Sequence, residues 1–246
     1  MRIHAFSAYA AVMLAALSLT ACASRELAQE TGDPFEPANR AVFAVNQTLD
    51  DAVVGPSARV YDTVTPETVQ TGVRNFMTNL NQPVVFANAL LQGDVHAAGD
   101  TVGRFVMNTT IGVAGVFDVA TREGVPQHSR DFGQTLAVWG VGDGPYLVLP
   151  LIGPSNFRDA TGRFVDRYPH PLNWSEEESG EAWAWGLRGL NGIQTRADLD
   201  GAIDSLNRTA IDPYVQARSA WRQSRSAFIE TGTRSDPNYE NLPEFE

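Results

Sequence analysis

Gly140-Val-Gly-Asp-Gly-Pro-Tyr-Leu-Val-Leu-Pro-Leu-Ile-Gly-Pro154 sets the terms on which the rest of this chain reads. Three glycines in five residues lead into an apolar run, Tyr146 to Ile152, punctuated by prolines at 145, 150 and 154. Proline lacks a backbone donor and resists helix interiors, so the run is not one regular helix. Gly142 and Gly144 open backbone conformations that other residues avoid. The stretch therefore reads as a flexible joint beside an extended apolar wall, with the remaining segments packed around it.

Those segments read as helices. Asp33 is placed to cap a first helix from Pro34, with Phe35, Ala38, Val42, Val45 and Leu49 as its inward stripe. Gly55-Pro56 should break it. Thr65-Pro66-Glu67 starts the next helix, whose stripe is Val69, Val73, Phe76 and Leu80. Pro83 then opens a separate short helix that Gly93 ends. Asp94 caps a helix with Val95, Ala98, Val102, Phe105 and Thr109 on one face. From Phe105 to Phe117 no residue is charged, and Gly112, Ala114 and Gly115 suit either close helix packing or a break. This run falls short of the ~20 residues of a spanning helix, so no conventional transmembrane helix is expected. It is either a buried core helix or one seated at membrane depth. Asp131 caps Phe132 to Trp139, and Ser155 starts a helix with Ala160, Phe164 and Val165 inward. Ser175 to Glu178 fits a capping box before a helix carrying Trp183, Leu187, Leu190 and Ile193. Asp212-Pro213 starts the last helix. No sustained period-two alternation and no internal repeat appears, so the fold class is mainly α.

Formal charge is −11, and all 18 basic side chains other than histidine are arginine. An acidic chain is a poor match for nucleic acid or for broad docking on anionic lipid. The absence of lysine excludes Schiff-base chemistry and a P-loop. Residues 1–21 have a weakly basic start, an apolar stretch from Ala5 to Leu19 and the sequence Leu19-Thr-Ala-Cys22, which reads as a lipoprotein signal peptide. Cys22 is the single cysteine, so it forms no intramolecular disulfide and its position marks it for lipidation. Residues 22–32 read as a lipidated tether, 33–232 as the helical domain, and 233–246 as a disordered acidic tail.

Nothing assembles a catalytic constellation, so the chain is not read as an enzyme. His96, His128 and His170 lack metal-ligand spacing, and no metal site is expected. Gly153-Pro-Ser155-Asn-Phe157 lacks the last glycine of a nucleophile elbow, and no strand leads into Gly140-Val-Gly-Asp-Gly144 as a dinucleotide loop requires. Asp100 and Arg104 are spaced for an i,i+4 ion pair. Arg158, Asp159, Arg163 and Asp166 form either a buried network or, more simply, a solvated face. Asn39, Arg40 and Asn46 also read, on spacing alone, as a solvent face.

The Gly140–Pro154 stretch, continued through Ser155-Asn-Phe-Arg-Asp159, resembles the signature of the MlaA (VacJ) family of outer-membrane lipoproteins. Asp33-Pro-Phe-Glu-Pro-Ala-Asn-Arg40, Leu91-Gln-Gly-Asp94 and Arg104-Phe-x-x-Asn108-x-x-x-Gly112-x-x-Gly115-x-x-Asp118 match in the same order. The resemblance implies a ring-like, all-helical, membrane-embedded lipoprotein with a central amphipathic channel. It implies removal of mislocalised phospholipid from the outer leaflet and delivery to a soluble periplasmic carrier, with a porin trimer as membrane partner. No cofactor follows beyond the covalent lipid on Cys22 and phospholipid as the transported ligand. Ala23 after the lipidated cysteine favours sorting to the outer membrane, facing the periplasm. Gly142 and Gly144 become the hinge, and Tyr146, Leu147, Val148, Leu149, Leu151 and Ile152 the channel wall. Asn39, Arg40, Asn46, Arg104, Asn108, Asp118, Arg158 and Asp159 are the polar residues that match the family motifs. After Arg40 the family's aromatic-asparagine repetition is kept here only at Phe43 and Asn46. The competing classes are a lipid-anchored periplasmic hydrolase, which would fail through single polar substitutions, and a structural lipoprotein that braces a porin.

Overall fold

The computed structural model describes residues 33–174 and 178–233. The signal peptide, Cys22, the tether, the Ser175 capping box and all of the tail but Thr233 lie outside the described residues. Helix α1 (Glu36–Leu49) does not break at Gly55-Pro56. It runs through a π-helical turn, Asp50–Val54, into α2 (Gly55–Val64). Pro56 falls in the first turn of α2, where a missing N–H costs little, and the wider π turn takes up the change in register. Gly55 also leaves room for the Arg196 guanidinium, which reaches Asp50 at 2.7 Å.

The two helices expected on either side of Pro83 are one, α3 (Glu67–Leu91), with the proline inside it. Gly93, at φ +78°, and Asp94, whose carboxylate accepts the Ala97 N–H at 2.9 Å, turn the chain into α4 (Val95–Thr110). These two helices make the most extensive pair in the fold. The uncharged run ends α4 in a tight turn in which Val113, Ala114 and Gly115 all have positive φ. Asn75 and Asn79 donate to the carbonyls of Val116 and Ala114 there, and Gly115 lies directly against Asn79. Short helices α5 (Val119–Arg122) and α6 (Phe132–Val138) follow, capped by Asp118 and Asp131.

The fold is not all-helical. Tyr146–Leu149 (β1) pairs antiparallel with Gly153–Asn156 (β2), Tyr146 opposite Asn156 and Leu149 opposite Gly153. A four-residue strand gives too few alternations to stand out, and its partner Gly-Pro-Ser-Asn carries almost no apolar signal. Ser155 therefore lies in β2, and Asn156 is the residue that caps α7 (Phe157–Val165), accepting the Asp159 N–H at 2.7 Å. A short 3-10 turn, Pro171–Asn173, precedes α8 (Glu178–Asp198), α9 (Asp200–Thr209) and α10 (Pro213–Thr233).

The helical period was legible, but the direction of several faces was not. Val45, Leu49, Val69, Val95 and Val102, expected inward, are exposed, as are Phe164 and Trp183. Buried polar positions on the same helices include Asn39, Gln70, Asn79, Thr101, Arg104 and Asn108, beside the buried apolar Val84, Val85, Ala89, Ala97 and the expected Ala98. On α8 Gln194 and Arg196 are buried along with Ala184. The fully apolar clusters are small: Ala89, Ala97 and Ala98 with Phe86, and Tyr146, Val148 and Tyr214 with Val42, Phe43 and Trp221. A polar interior is tolerable only when its groups are hydrogen-bonded; most are, and Asn79 Oδ1, Gln82 Oε1 and the Tyr146 hydroxyl are among the buried atoms that are not.

Candidate functional site: a clamped hairpin and a polar cavity

The hairpin is held by side chains that imitate a third strand. On α1, Asn39 and Asn46 stand two turns apart and therefore on one face. Asn39 donates to Tyr146 O at 3.0 Å and accepts the Val148 N–H at 2.9 Å. Asn46 donates to Leu149 O at 3.0 Å and accepts the Leu151 N–H at 2.8 Å. A side-chain amide sets N–H donors beside a carbonyl acceptor, the pairing that a strand edge presents. The solvent face expected for these residues is thus a docking face. Arg40 lies beside it, half exposed, bonded to Glu36 at 2.8 Å and Asp212 at 2.7 Å.

Asp33 does more than begin a helix. It is buried, accepts from Asn39 Nδ2 at 2.8 Å and Arg218 at 3.0 Å, and takes a very short hydrogen bond from the Tyr214 hydroxyl. Phe35, not Asp33, occupies the N-cap position of α1. The start of the domain is thereby fixed to α10. Burial, and then the Asp33 carboxylate, push the Tyr214 phenol up, so it stays a donor at any physiological pH.

The glycine joint is tied at its centre. Asp143 is 2.6 Å from Arg158, which also bonds Asp159 at 3.1 Å. Asp159 continues to Arg225 at 2.7 Å, and Arg225 to Asp131 at 2.7 Å. Arg158 and Asp159 therefore belong to a buried network, not the expected solvated face, while Arg163 is exposed. Asp166 accepts from the Phe132 N–H at 3.0 Å and from Asn88 at 2.8 Å. Close helix approach makes this possible: a Cβ on Gly162 would lie 2.3 Å from Gly133 N. Of the two hinge glycines, Gly144 has φ +67°, with an added Cβ 3.0 Å from Phe157. Gly142 lies outside the left-handed region, with open space around it.

Arg104, Asn108 and Asp118, scattered in sequence, meet in one cluster. Arg104 is 2% exposed and bonds Asp118 at 2.8 and 2.9 Å, Thr121 at 3.1 Å and Val125 O at 2.6 Å. The expected Asp100–Arg104 pair does not form, because both Asp118 oxygens accept from Arg104 Nη2 and Asp100 turns to His128 at 2.8 Å. Asn108 joins Asp118 at 3.1 Å and accepts the Ala120 N–H at 2.9 Å.

The apolar run divides between two environments. Tyr146 and Val148 are buried, Leu147 and Leu149 half-buried, and Leu151 and Ile152 exposed at the hairpin tip. Tyr146 borders a cavity of about 510 Å³ with Gly144, Arg158 and Trp221. A cavity twice as large, about 1030 Å³, lies between α3, the end of α7, the 3-10 turn and α8. Its lining mixes Met77, Leu80, Val85, Leu172 and Leu187 with Asn81, Gln82, Asn191 and Gln194. Its charged side chains are Arg74, Arg163, Asp166, Arg167, Glu181, Arg188 and Asp198. Sequence reasoning missed Arg167 and Arg188. One signal was available: Arg163 and Arg167 are like charges four apart, a spacing that disfavours a helix face. Among the described residues no group of histidine, cysteine and carboxylates is arranged to hold a metal. Ser155 is buried, with its hydroxyl directed at Asn156 O and no histidine beside it.

The family model described as "MlaA lipoprotein" matches residues 31–227. The intermembrane phospholipid transport system lipoprotein MlaA of Escherichia coli is 36% identical, over 92% of this chain and 90% of its own length. The protein of the same name from Haemophilus influenzae is 32% identical over 94% of each. A solved chain from work on the structural basis for maintenance of bacterial outer membrane lipid asymmetry superposes with a TM-score of 0.69. It is 33% identical and covers 80% of this chain and 98% of its own.

Proposed function

The chain belongs to the MlaA lipoprotein family, and on that premise we propose that it removes mislocalised phospholipid from the outer leaflet of a Gram-negative outer membrane. The lipid passes through the amphipathic cavity to a soluble periplasmic carrier, which maintains lipid asymmetry. The relatives are transport-system lipoproteins, and the reading for this chain is transport without bond making or breaking. The protein is anchored by lipid on Cys22 and sits ring-like in the inner leaflet, facing the periplasm, beside a porin trimer.

One observation carries this reading: the molecule buries many polar side chains and exposes many large apolar ones. Arg104, Gln134 and Asn88 are buried while Val95, Ile111 and Val106 are exposed. In water that arrangement forfeits about 1.5–3 kcal/mol for each large aliphatic side chain left outside. Six such side chains correspond to ~10 kcal/mol, the size of a whole folding free energy. In hydrocarbon the sign reverses. Among the described residues no helix is long and apolar enough to cross a membrane, so the apolar belt suits one leaflet. The same logic explains the cavity: a headgroup needs polar lining to pass through hydrocarbon, and the tails need apolar surface.

The test is outer-leaflet phospholipid in cells with and without this protein. Accumulation on deletion, reversed by the wild-type gene, is expected; an unchanged surface lipid content would refute the function. Residues 23–246 without the lipid should still require detergent. A monodisperse, lipid-free fragment in plain buffer would refute the embedded seat.

A further inference from the structure

Arginine in this chain is mostly a paired residue. Arg40, Arg74, Arg104, Arg130, Arg196 and Arg218 each meet a carboxylate at 3.0 Å or less. Arg163, Arg167 and Arg188 break that pattern. All three line the 1030 Å³ cavity, and none has an ion-pair partner among the described residues. Arg188 is oriented by neutral oxygens instead, Asn173 Oδ1 at 2.6 Å and Leu172 O at 3.2 Å.

Asp131 and Asp159 border Arg163 in a neighbouring cavity, and Asp131 acts on it through space, but the titratable groups facing the larger cavity, Glu181 apart, have partners of their own. Asp198 is engaged by Arg74 at 2.7 Å, and Asp166 by the Phe132 N–H and Asn88. His128 is bonded to Asp100 at 2.8 Å. His170 accepts the Leu172 N–H, and burial together with Arg188 pushes it down, so it is uncharged at neutral pH. Glu181 is left facing three guanidinium groups. Burial, and then the nearby Arg167, push Arg188 below its ordinary value against the opposing pull of Glu181. Among the described residues four arginines against three carboxylates line this cavity, a local excess of positive charge in a protein of formal charge −11.

We propose that Arg163, Arg167 and Arg188 form a phosphate-binding site within the cavity, which grips the phosphodiester of a phospholipid in transit. The inference rests on the lipid path proposed above and adds the group by which the lipid is held. A guanidinium presents paired N–H donors that match two phosphate oxygens. Met77, Leu80, Val85 and Leu187 supply apolar lining for the acyl chains in the same cavity. A site that reads phosphate does not read what lies beyond it, so phosphatidylethanolamine and phosphatidylglycerol should be accepted alike. Diacylglycerol, with the same tails and no phosphate, should not.

The test uses the full-length lipoprotein in phosphate-free, nonionic detergent, with native mass spectrometry counting bound lipid. The probes are dioleoyl phosphatidylethanolamine, dioleoyl phosphatidylglycerol, dioleoylglycerol and inorganic phosphate. Wild type should favour both phospholipids over dioleoylglycerol by about tenfold or more, the scale of one charge-assisted hydrogen bond. R163Q, R167Q and R188Q should each remove about tenfold of that preference and leave dioleoylglycerol unchanged. R122Q, on a residue that does not line the cavity, should have no effect. R188Q also loses its bonds to Asn173 and Leu172, so thermal melts must match wild type. If they do not, R163Q and R167Q, which break no hydrogen bond of the fold, carry the test. Equal binding of all three lipids, or variants that keep the phospholipid preference, would overturn the phosphate site and leave the lipid path standing. Absence of any lipid binding by wild type would defeat the path itself. Inorganic phosphate that binds wild type but not the variants, without any lipid discrimination, would assign the arginines to the free ion and overturn the proposal.

Discussion

Asn39→Ala should open the hairpin from its buried end, and Asn46→Ala should loosen only its tip. The two residues make the same pair of bonds to β1 but in different surroundings. Asn39 is buried, as is Val148, whose N–H it accepts at 2.9 Å. Truncation leaves that N–H and Tyr146 O without partners away from water, each costing about 1–3 kcal/mol, for a total of about 2–6 kcal/mol. The lost third bond, to Asp33, adds little because Asp33 keeps Tyr214 and Arg218. Asn46 serves Leu149 O and the N–H of exposed Leu151. Water can replace it, so about 1 kcal/mol is expected. Denaturant unfolding in detergent measures both losses, and hydrogen exchange locates them. The Val148 amide should lose protection in Asn39→Ala and keep it in Asn46→Ala. Equal stability losses, or an unchanged Val148 amide in Asn39→Ala, would refute the view that the α1 asparagines hold the strand.

Gly144→Val should lower stability by about 1–2 kcal/mol or more, because valine is strained at φ +67° and its Cβ would crowd Phe157. Gly142→Val should melt like wild type, so it is the cleaner probe of the proposed hinge; a large loss in that variant would contradict the open space around it. Arg104→Ala should cost about 3–5 kcal/mol by leaving Asp118 uncompensated, read from the unfolding midpoint; a loss under 1 kcal/mol would mean that water replaces the guanidinium. Acid should unfold the domain through Asp118 and Asp131. Burial pushes both carboxyls up, but Thr121, Asn108 and Arg104 at one, and Arg225 and the Gln134 N–H at the other, outweigh it and hold both below the ordinary carboxylate range. A lowered folded value means stability is complete above the unfolded value of ~3.9 and is lost as pH falls through the folded one. Asp131→Asn should flatten that loss, and an unchanged pH profile would exclude Asp131. Cys22→Ser should leave the precursor unmodified by mass spectrometry; an acyl group found elsewhere in the chain would refute lipidation at Cys22.

Local signals alone placed most helix boundaries. Asp94 and Asp131 each precede a helix and cap it, because an N-cap depends on residues three positions apart. Pro83 and Gly55-Pro56 misled because a proline's penalty can be absorbed, by a long helix in one case and a π turn in the other. The period of Val45, Val69 and Val102 was in the sequence as well, but amphipathicity specifies a face and not the solvent that face meets. Only the tertiary structure shows that polar groups occupy the inside, since Arg104 must first find Asp118, Thr121 and Val125 before its burial is tolerable. The same holds for Asn39 and Asn46, which are ordinary surface residues until β1, more than a hundred positions away, presents its edge. Arg163, Arg167 and Arg188 sit on two segments with unremarkable spacing, and their shared cavity exists only once α7 and α8 close on α3. Composition and local spacing decide which helices form; which charges are left unpaired depends on distances between segments, and those exist only in the folded chain.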